Sequence, residues 1–215
     1  MTKPENHQIS FCQRCGTCCK KGGPALHIED QPLIDRGGIP VTSLFTIRKG
    51  ERAFDNINGG MIQLTDEIIK IKSMLKSSVC MYFNEADMSC RIYDHRPVEC
   101  RILECWNTDK IKALYAYTRL TRALMVQKIT WLAELVQTHE DRCSLERIQD
   151  LVNDRASDDP SAASELAEII NYDFHLRHLA AEKGGLSSEM ADFLFGRPLA
   201  DIIPRQFGVN VKKAE

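Results

Sequence analysis

Regular spacing of apolar positions is concentrated in the second half of this chain. Ile111, Leu114, Tyr117, Leu120, Leu124, Trp131, Leu132 and Leu135 recur mostly every three or four residues. That spacing predicts the buried stripe of one long helix, opened by Asn107 or Thr108. Ser144 predicts the cap of a shorter helix running to 152. A polar linker is expected over 154–161. Asp159 and Pro160 then open a further helix with Leu166, Ile169, Ile170, Phe174 and Leu179 as its buried face, closed by Gly184 and Gly185. Short helices over 189–195 and 198–203 follow, and the terminal VKKAE reads as a frayed tail.

The first half has shorter and less regular runs. Residues 1–10 are polar and read as a flexible lead. Positions 25–28 suit a short strand. Asp30 and Pro32 start a helix to Arg36 that Gly37 and Gly38 stop, and Pro40 begins another helical turn through Phe45. Residues 48–58 read as an extended loop and Asn58-Gly59-Gly60 as a tight turn, while 64–75 suits a helix or a strand equally. Two apolar and aromatic runs, 79–83 and 88–93, flank Asn84-Glu85-Ala86-Asp87 and predict a hairpin. Asp94 is the expected cap of a helix with Pro97 in its first turn, running through Cys100 towards Cys105. The pattern is α+β and mainly helical: a small cysteine-rich metal-binding domain with a short β-hairpin over 11–107, then a helical region over 108–205 packed on it or on a partner.

Composition narrows the function classes. At 43% hydrophobic and 27% charged the chain is an ordinary globular sequence, and a net charge of -2 offers no electrostatic case for nucleic acid or an anionic membrane. No stretch reaches the roughly 20 apolar residues of a membrane helix, and the N-terminus shows no signal-like apolar segment. A cytoplasmic location is therefore expected, where thiols stay reduced and nine cysteines are better explained by metal than by disulfides.

Four of those cysteines crowd into FCQRCGTCC: Cys12, Cys15, Cys18 and Cys19. Thiolates at i, i+3 and i+6 wrap a single metal centre, and Gly16 permits the tight turn of a metal knuckle. The spacing matches the start of a bacterial ferredoxin run but lacks its closing C-x3-C-P. Cys80, Cys90, Cys100 and Cys105 form a second group of four, so the first stretch reads as one half of a split site. Adjacent side chains on an extended backbone point to opposite faces, so Cys18 and Cys19 serve different centres, or one binds while the other packs. Cys143 is the outsider. Among the histidines, His95 lies inside the second motif, whereas His175 and His178 lack cysteine or acidic partners. Arg96 and Arg101 flank Cys100. A guanidinium there would offset the charge of a thiolate cluster and move its potential. Equally, each would pair with Asp94, Glu99 or Glu104.

The vicinal pair Cys18-Cys19, together with Tyr93, Arg96, Pro97, Cys100 and Arg101, resembles the CxxCxxCC family of YkgJ-type cysteine-cluster proteins. The resemblance covers roughly residues 11–105. It implies a zinc- or iron-chelating domain, often labelled iron–sulfur, and it extends to the cysteine-rich part of flagellin lysine N-methylases. Leu103 and Glu104 stand where family members often carry an aromatic and a proline, which leaves Cys105 the least certain of the eight ligands. Neither a trusted Gly-rich nucleotide loop nor a C-x3-C-x2-C motif is present, and the sequence names no reaction.

Three functions follow from these residues. The first is a protein holding an iron–sulfur cluster, four-iron by preference, as a redox or cluster component of a modifying system with a protein partner. The second is a zinc-stapled interaction module, and the third a metal carrier.

Overall fold

A computed structural model describes residues 12–115, 117, 119–155 and 160–210 of the chain. The expected flexible lead over 1–10, the centre of the linker over 154–161 and the terminal VKKAE lie outside the described residues. The chain divides into two compact units that interleave in sequence: residues 1–38 with 71–119, and residues 39–70 with 120–215. Helices dominate the later half, and short strand pairs the earlier one.

In the first unit, helix α1 (Gln31–Asp35) starts at Pro32 and stops before Gly37 (φ +75°), as the sequence signals require. Positions 25–28 hold isolated bridge residues, His27 facing Arg119, in place of a strand. Strands β5 (Phe83–Asn84) and β6 (Ser89–Cys90) form the expected hairpin with Phe83 opposite Cys90, but each is only two residues long. Helix α2 (Val98–Ile102) follows Pro97 and ends well before Cys105. Its first amide is capped from a distance: Val98 N donates to Asp30 Oδ1 at 2.7 Å, so Asp30 takes the role the sequence suggests for Asp94. Helix α3 (Asp109–Tyr115) begins after Asn107, whose Oδ1 accepts the Asp109 amide.

In the second unit, β1 (Leu44–Ile47) pairs with β4 (Ile68–Ile71), which resolves the ambiguous 64–75 run as a strand. Pro40 opens only a 3-10 turn, Val41–Ser43, before β1. The stretch read as a loop contains β2 (Arg52–Phe54), which pairs antiparallel with β3 (Met61–Gln63) across the Asn58–Gly60 turn. Asp55 organises that turn by accepting the Ile57 and Asn58 amides.

The single long helix expected after 108 is three pieces. Beyond α3 come α4 (Arg122–Val126) and α5 (Thr130–Arg142), so the apolar stripe does not stay in phase: Leu120 is fully buried while Tyr117 and Trp131 are exposed. Helices α6 (Leu145–Arg155), α7 (Pro160–Gly184), α8 (Ser188–Leu194) and α9 (Leu199–Phe207) complete the unit. Their core joins Leu145, Ile148, Leu151, Leu166, Ile170, Leu199, Ile202 and Ile203. Phe174 and Leu179, expected on the buried face of α7, are exposed, and Asp173 occupies the buried register instead.

Asp173 is buried because it is fully partnered. It accepts from His139 Nε2 at 2.7 Å, Arg177 Nε at 2.9 Å and the Leu199 amide at 3.0 Å. His139 Nδ1 accepts from Arg48, whose other nitrogen reaches the Cys143 carbonyl. Arg122 binds Glu67, Glu140 and the Leu194 carbonyl. Sequence periodicity cannot register such a network, because it treats charge as a mark of the surface.

Candidate metal site

All eight cysteines proposed as ligands fall in the first unit. The loop over 12–18 alternates conformations that only special positions allow. Arg14 (φ +53°) and Gly16 (φ +73°) both adopt the left-handed region, which curls the backbone between Cys12 and Cys18. Gly16 is also a close approach: a Cβ there would lie 2.3 Å from the Phe83 ring, the buried side chain that starts β5. The knuckle is thereby seated on the hairpin that carries Cys90.

Cys19 starts a 3-10 turn, Cys19–Lys21, and its carbonyl accepts the Cys80 amide at 2.8 Å. The Ser78 hydroxyl donates to the Lys20 carbonyl at 2.7 Å. Phe83 N donates to the Cys80 carbonyl at 2.9 Å, which ties Cys80, itself bridged to Ser73, to the strand that faces Cys90. Cys100 rides on α2. Cys105 lies past the helix, in the turn where Asn107 N donates to the Glu104 carbonyl.

The vicinal pair is not extended as the sequence reading supposes. Cys18 is helical (φ -68°, ψ -39°) and enters the 3-10 turn, so successive side chains diverge by about 120° rather than pointing oppositely. Their sulfurs stand 3.9 Å apart. The hydrogen bond between them lets one thiol ionise at the other's expense: Cys18 falls to about 6, and Cys19 is raised. Arg96 adds to the lowering at Cys18. Burial raises the Cys80 and Cys100 thiols, and neighbouring thiolates raise them further. The Thr17 hydroxyl, 3.3 Å from Cys15 Sγ, holds that thiol below its usual range. Sulfurs that raise one another's pKa constitute a site whose natural counter-charge is a cation, and soft thiolates suit zinc, copper(I) or iron–sulfur centres. The donor set therefore fits a metal, although no three of the eight sulfurs lie within 4.8 Å of one another.

Arg14 and His27, which the sequence reading left out of the site, stand at its mouth and in its frame. Arg14 stacks on the Tyr93 ring at 4.1 Å, and Arg96 stacks on the same ring at 3.6 Å. Cys12, Gln13, Arg14 and Tyr93 line an open recess of about 390 Å³. Neither arginine makes an ion pair among the described residues. The charge of Arg101 is felt at Asp30. His27 is fully buried: Nε2 meets Glu99 at 3.2 Å and Nδ1 meets the Tyr117 carbonyl at 2.9 Å. Glu99 also accepts the Ala25 amide, and Asp30 accepts the His27 and Val98 amides. These bonds fix α2, and Cys100 with it, to the segment that follows the knuckle. The one available signal was a histidine inside the apolar 25–28 run; its partner, 72 residues away, left none.

Outside this cluster, His139, Cys143 and Asp173 bring three potential ligand atoms within 4.8 Å of one another. Both ring nitrogens of His139 are committed, Nε2–H to Asp173 and Nδ1 to Arg48, so the imidazole is neutral and has no lone pair to offer. Burial keeps its pKa low and pushes the Cys143 thiol up to about 12. This trio belongs to the buried framework. His178 pairs with Glu182 at 3.4 Å on the exposed face of α7, beside His175. His95 is exposed.

A mostly helical α+β chain whose folded sulfurs converge on one small unit is a metal-chelating cysteine protein. Residues 11–118 match the CxxCxxCC family model, described as "Putative zinc- or iron-chelating domain". This chain belongs to that family. No curated protein and no solved structure matches it. Among the described residues, no helix is long and apolar enough to cross a membrane.

Proposed function

We propose that the thiols of the first unit, Cys12, Cys15, Cys18, Cys19, Cys80, Cys90, Cys100 and Cys105, hold an iron–sulfur cluster. In this reading the chain is a cytoplasmic redox or cluster component that meets a protein partner. The observation that carries it is the pairing of an all-sulfur donor set with two arginines, Arg14 and Arg96, that have no carboxylate partner among the described residues and stack on Tyr93 beside the thiols. Four thiolates around a cluster leave net negative charge, and nearby guanidinium groups offset it and raise its potential. Sulfur ligation with an exposed mouth suits electron or cluster exchange with a partner.

The test is purification without oxygen, followed by a visible spectrum and assays of iron, sulfide and zinc. Brown protein with stoichiometric sulfide supports the proposal, and Arg96→Gln is then expected to lower the reduction potential without lowering iron content. Colourless protein with tightly bound zinc and no sulfide would overturn it. A metal carrier, of iron or zinc, is the competing reading, favoured by the exposure of Cys12, Cys15 and Cys105.

A further inference from the structure

Resting on the reading that the first unit meets a protein partner, we infer that Arg14 is the residue that receives it. What Arg14 takes is a side-chain carboxylate from an acidic segment of that partner.

Tyr93 and Arg96 build the platform. Arg96 Nε donates to the Tyr93 carbonyl at 2.7 Å, while its guanidinium carbon lies 3.6 Å from the centre of the Tyr93 ring. One side chain thus holds both the backbone and the ring of the same residue, and both residues are half-buried. Arg14 reaches that ring from the other cysteine segment, with its guanidinium carbon 4.1 Å from the ring centre. Its backbone sits in the left-handed region at φ +53°, a conformation that a residue other than glycine keeps only where its surroundings impose it. Arg14 is exposed, and with Cys12, Gln13 and Tyr93 it lines the open recess of about 390 Å³.

A guanidinium that spends its face on a ring keeps its edge of N–H donors, and that fork matches the two oxygens of a carboxylate. Holding a long exposed side chain in place beforehand removes part of the rotamer entropy that docking otherwise costs. The second unit shows the matched pair: Arg147 donates from Nε and Nη2 to the two oxygens of Glu165 at 2.9 and 2.6 Å. Among the described residues no such acceptor reaches Arg14. The acidic residues that flank Tyr93 in the chain are engaged elsewhere. Glu85 pairs with Lys20, Asp87 accepts from Ser89, Glu99 bonds His27 and the Ala25 amide, and Glu104 bonds Lys110. Asp94 is exposed and makes no ion pair with either arginine. The fork is therefore built and held while its acceptor has to come from outside the unit.

The charge selects the acceptor. One fork with one positive charge suits a carboxylate. A phosphorylated side chain carries nearly two negative charges and three acceptor oxygens, and is held by clusters of arginines. Arg96 gives no second fork to the recess, because it is turned onto Tyr93. Cys12 lines the same recess, so an acidic segment docked on Arg14 lies against an exposed thiol of the metal site. Small, charge-matched contacts of this kind serve transient redox and exchange partners, which must bind quickly and leave.

The test uses the full chain purified without oxygen and a dye-labelled oligoglutamate peptide as the probe, with binding read by fluorescence anisotropy at low salt. The wild type is expected to bind, and to lose affinity as salt rises. Arg14→Gln is expected to weaken binding about tenfold, the loss of one charge-assisted bidentate pair. Arg14→Glu is expected to abolish it, and Arg147→Gln to leave it unchanged. Circular dichroism and metal content, recorded on every sample, identify the variants that are folded and loaded. In the wild type itself, the peptide is expected to slow modification of Arg14 by phenylglyoxal, located by mass spectrometry. An iron-loaded wild type that does not bind the peptide, or a folded Arg14→Gln that binds as tightly as the wild type, would overturn this inference and leave the iron–sulfur reading standing. Tighter binding of a phosphoserine peptide of the same length would overturn the assignment to carboxylate. A wild type without iron and sulfide would overturn the iron–sulfur reading, and protection of Arg14 in that same sample would still decide the carboxylate contact.

Discussion

Cys18 and Cys19 are the residues where local chemistry and site architecture meet. Their shared hydrogen bond stabilises one thiolate and one thiol, which lowers Cys18 to about 6. Cys19→Ala removes that donor, so Cys18 in the reduced, metal-free chain is expected to titrate closer to the ordinary value of 9.0, as read from the pH dependence of its alkylation rate. Gly16→Ala meets the opposite limit. Its φ of +73° and the Phe83 ring leave no room for a Cβ, so the substitution displaces the knuckle from the hairpin and is expected to reduce metal content sharply. Cys143→Ser is expected to leave metal content unchanged, since Cys143 lies in the second unit. The cysteine motifs and Gly16 were legible because chain-local spacing carries them. The stacking of Arg14 on Tyr93 was not, because a two-residue spacer position looks the same whether its side chain meets solvent or a ring 79 positions away.

At the level of elements, short pieces are positioned by bonds from elsewhere in the sequence. Helix α2 has five residues, too few to stand alone in water, and it is held by Asp30 at its first turn and by His27 through Glu99. Asp30→Ala removes the acceptor of the buried His27 amide and the half-buried Val98 amide and is expected to cost about 1–2 kcal/mol in urea unfolding. The start of α4 at Arg122 and its end at Val126 escaped the periodic reading because Leu120 and Leu124 continue the spacing of three and four. Hairpin β2–β3 was missed for the converse reason: its strands are mostly exposed, so no apolar alternation marks them.

Across the whole molecule, the two units respond to pH with opposite sign. His27 is opposed by burial, yet the Glu99 carboxylate and the Tyr117 carbonyl raise its pKa above 6.5. Its contribution to the first unit is complete below about 6.5 and is lost as pH rises through the raised value. In the second unit burial depresses His139, which must stay neutral, so stability there falls as pH drops below 6.5. Asp173 is opposed by burial, but its bonds to His139 and Arg177 hold it below 3.8, and its contribution is lost as pH falls through that lowered value. Hydrogen exchange on the metal-free chain is expected to show the first unit loosening as pH rises above neutrality and the second loosening in acid. Asp173→Ala is expected to destabilise the second unit by roughly 3–5 kcal/mol, because it strands Arg177 and His139.

The sequence by itself determined the cysteine motif of the family, the class of fold and most helix ends in the later half. These rest on residue type and on spacing of a few positions: thiols that bind soft metal, glycines that accept positive φ, prolines and Asn or Ser that start helices. Tertiary structure alone decided which distant residues meet. Residues 39–70 join the later helices rather than the cysteine segments on either side of them, and Asp30, His27 and Glu99 meet across some seventy positions. A buried charge is stable only when its partners arrive, and nothing local encodes their arrival.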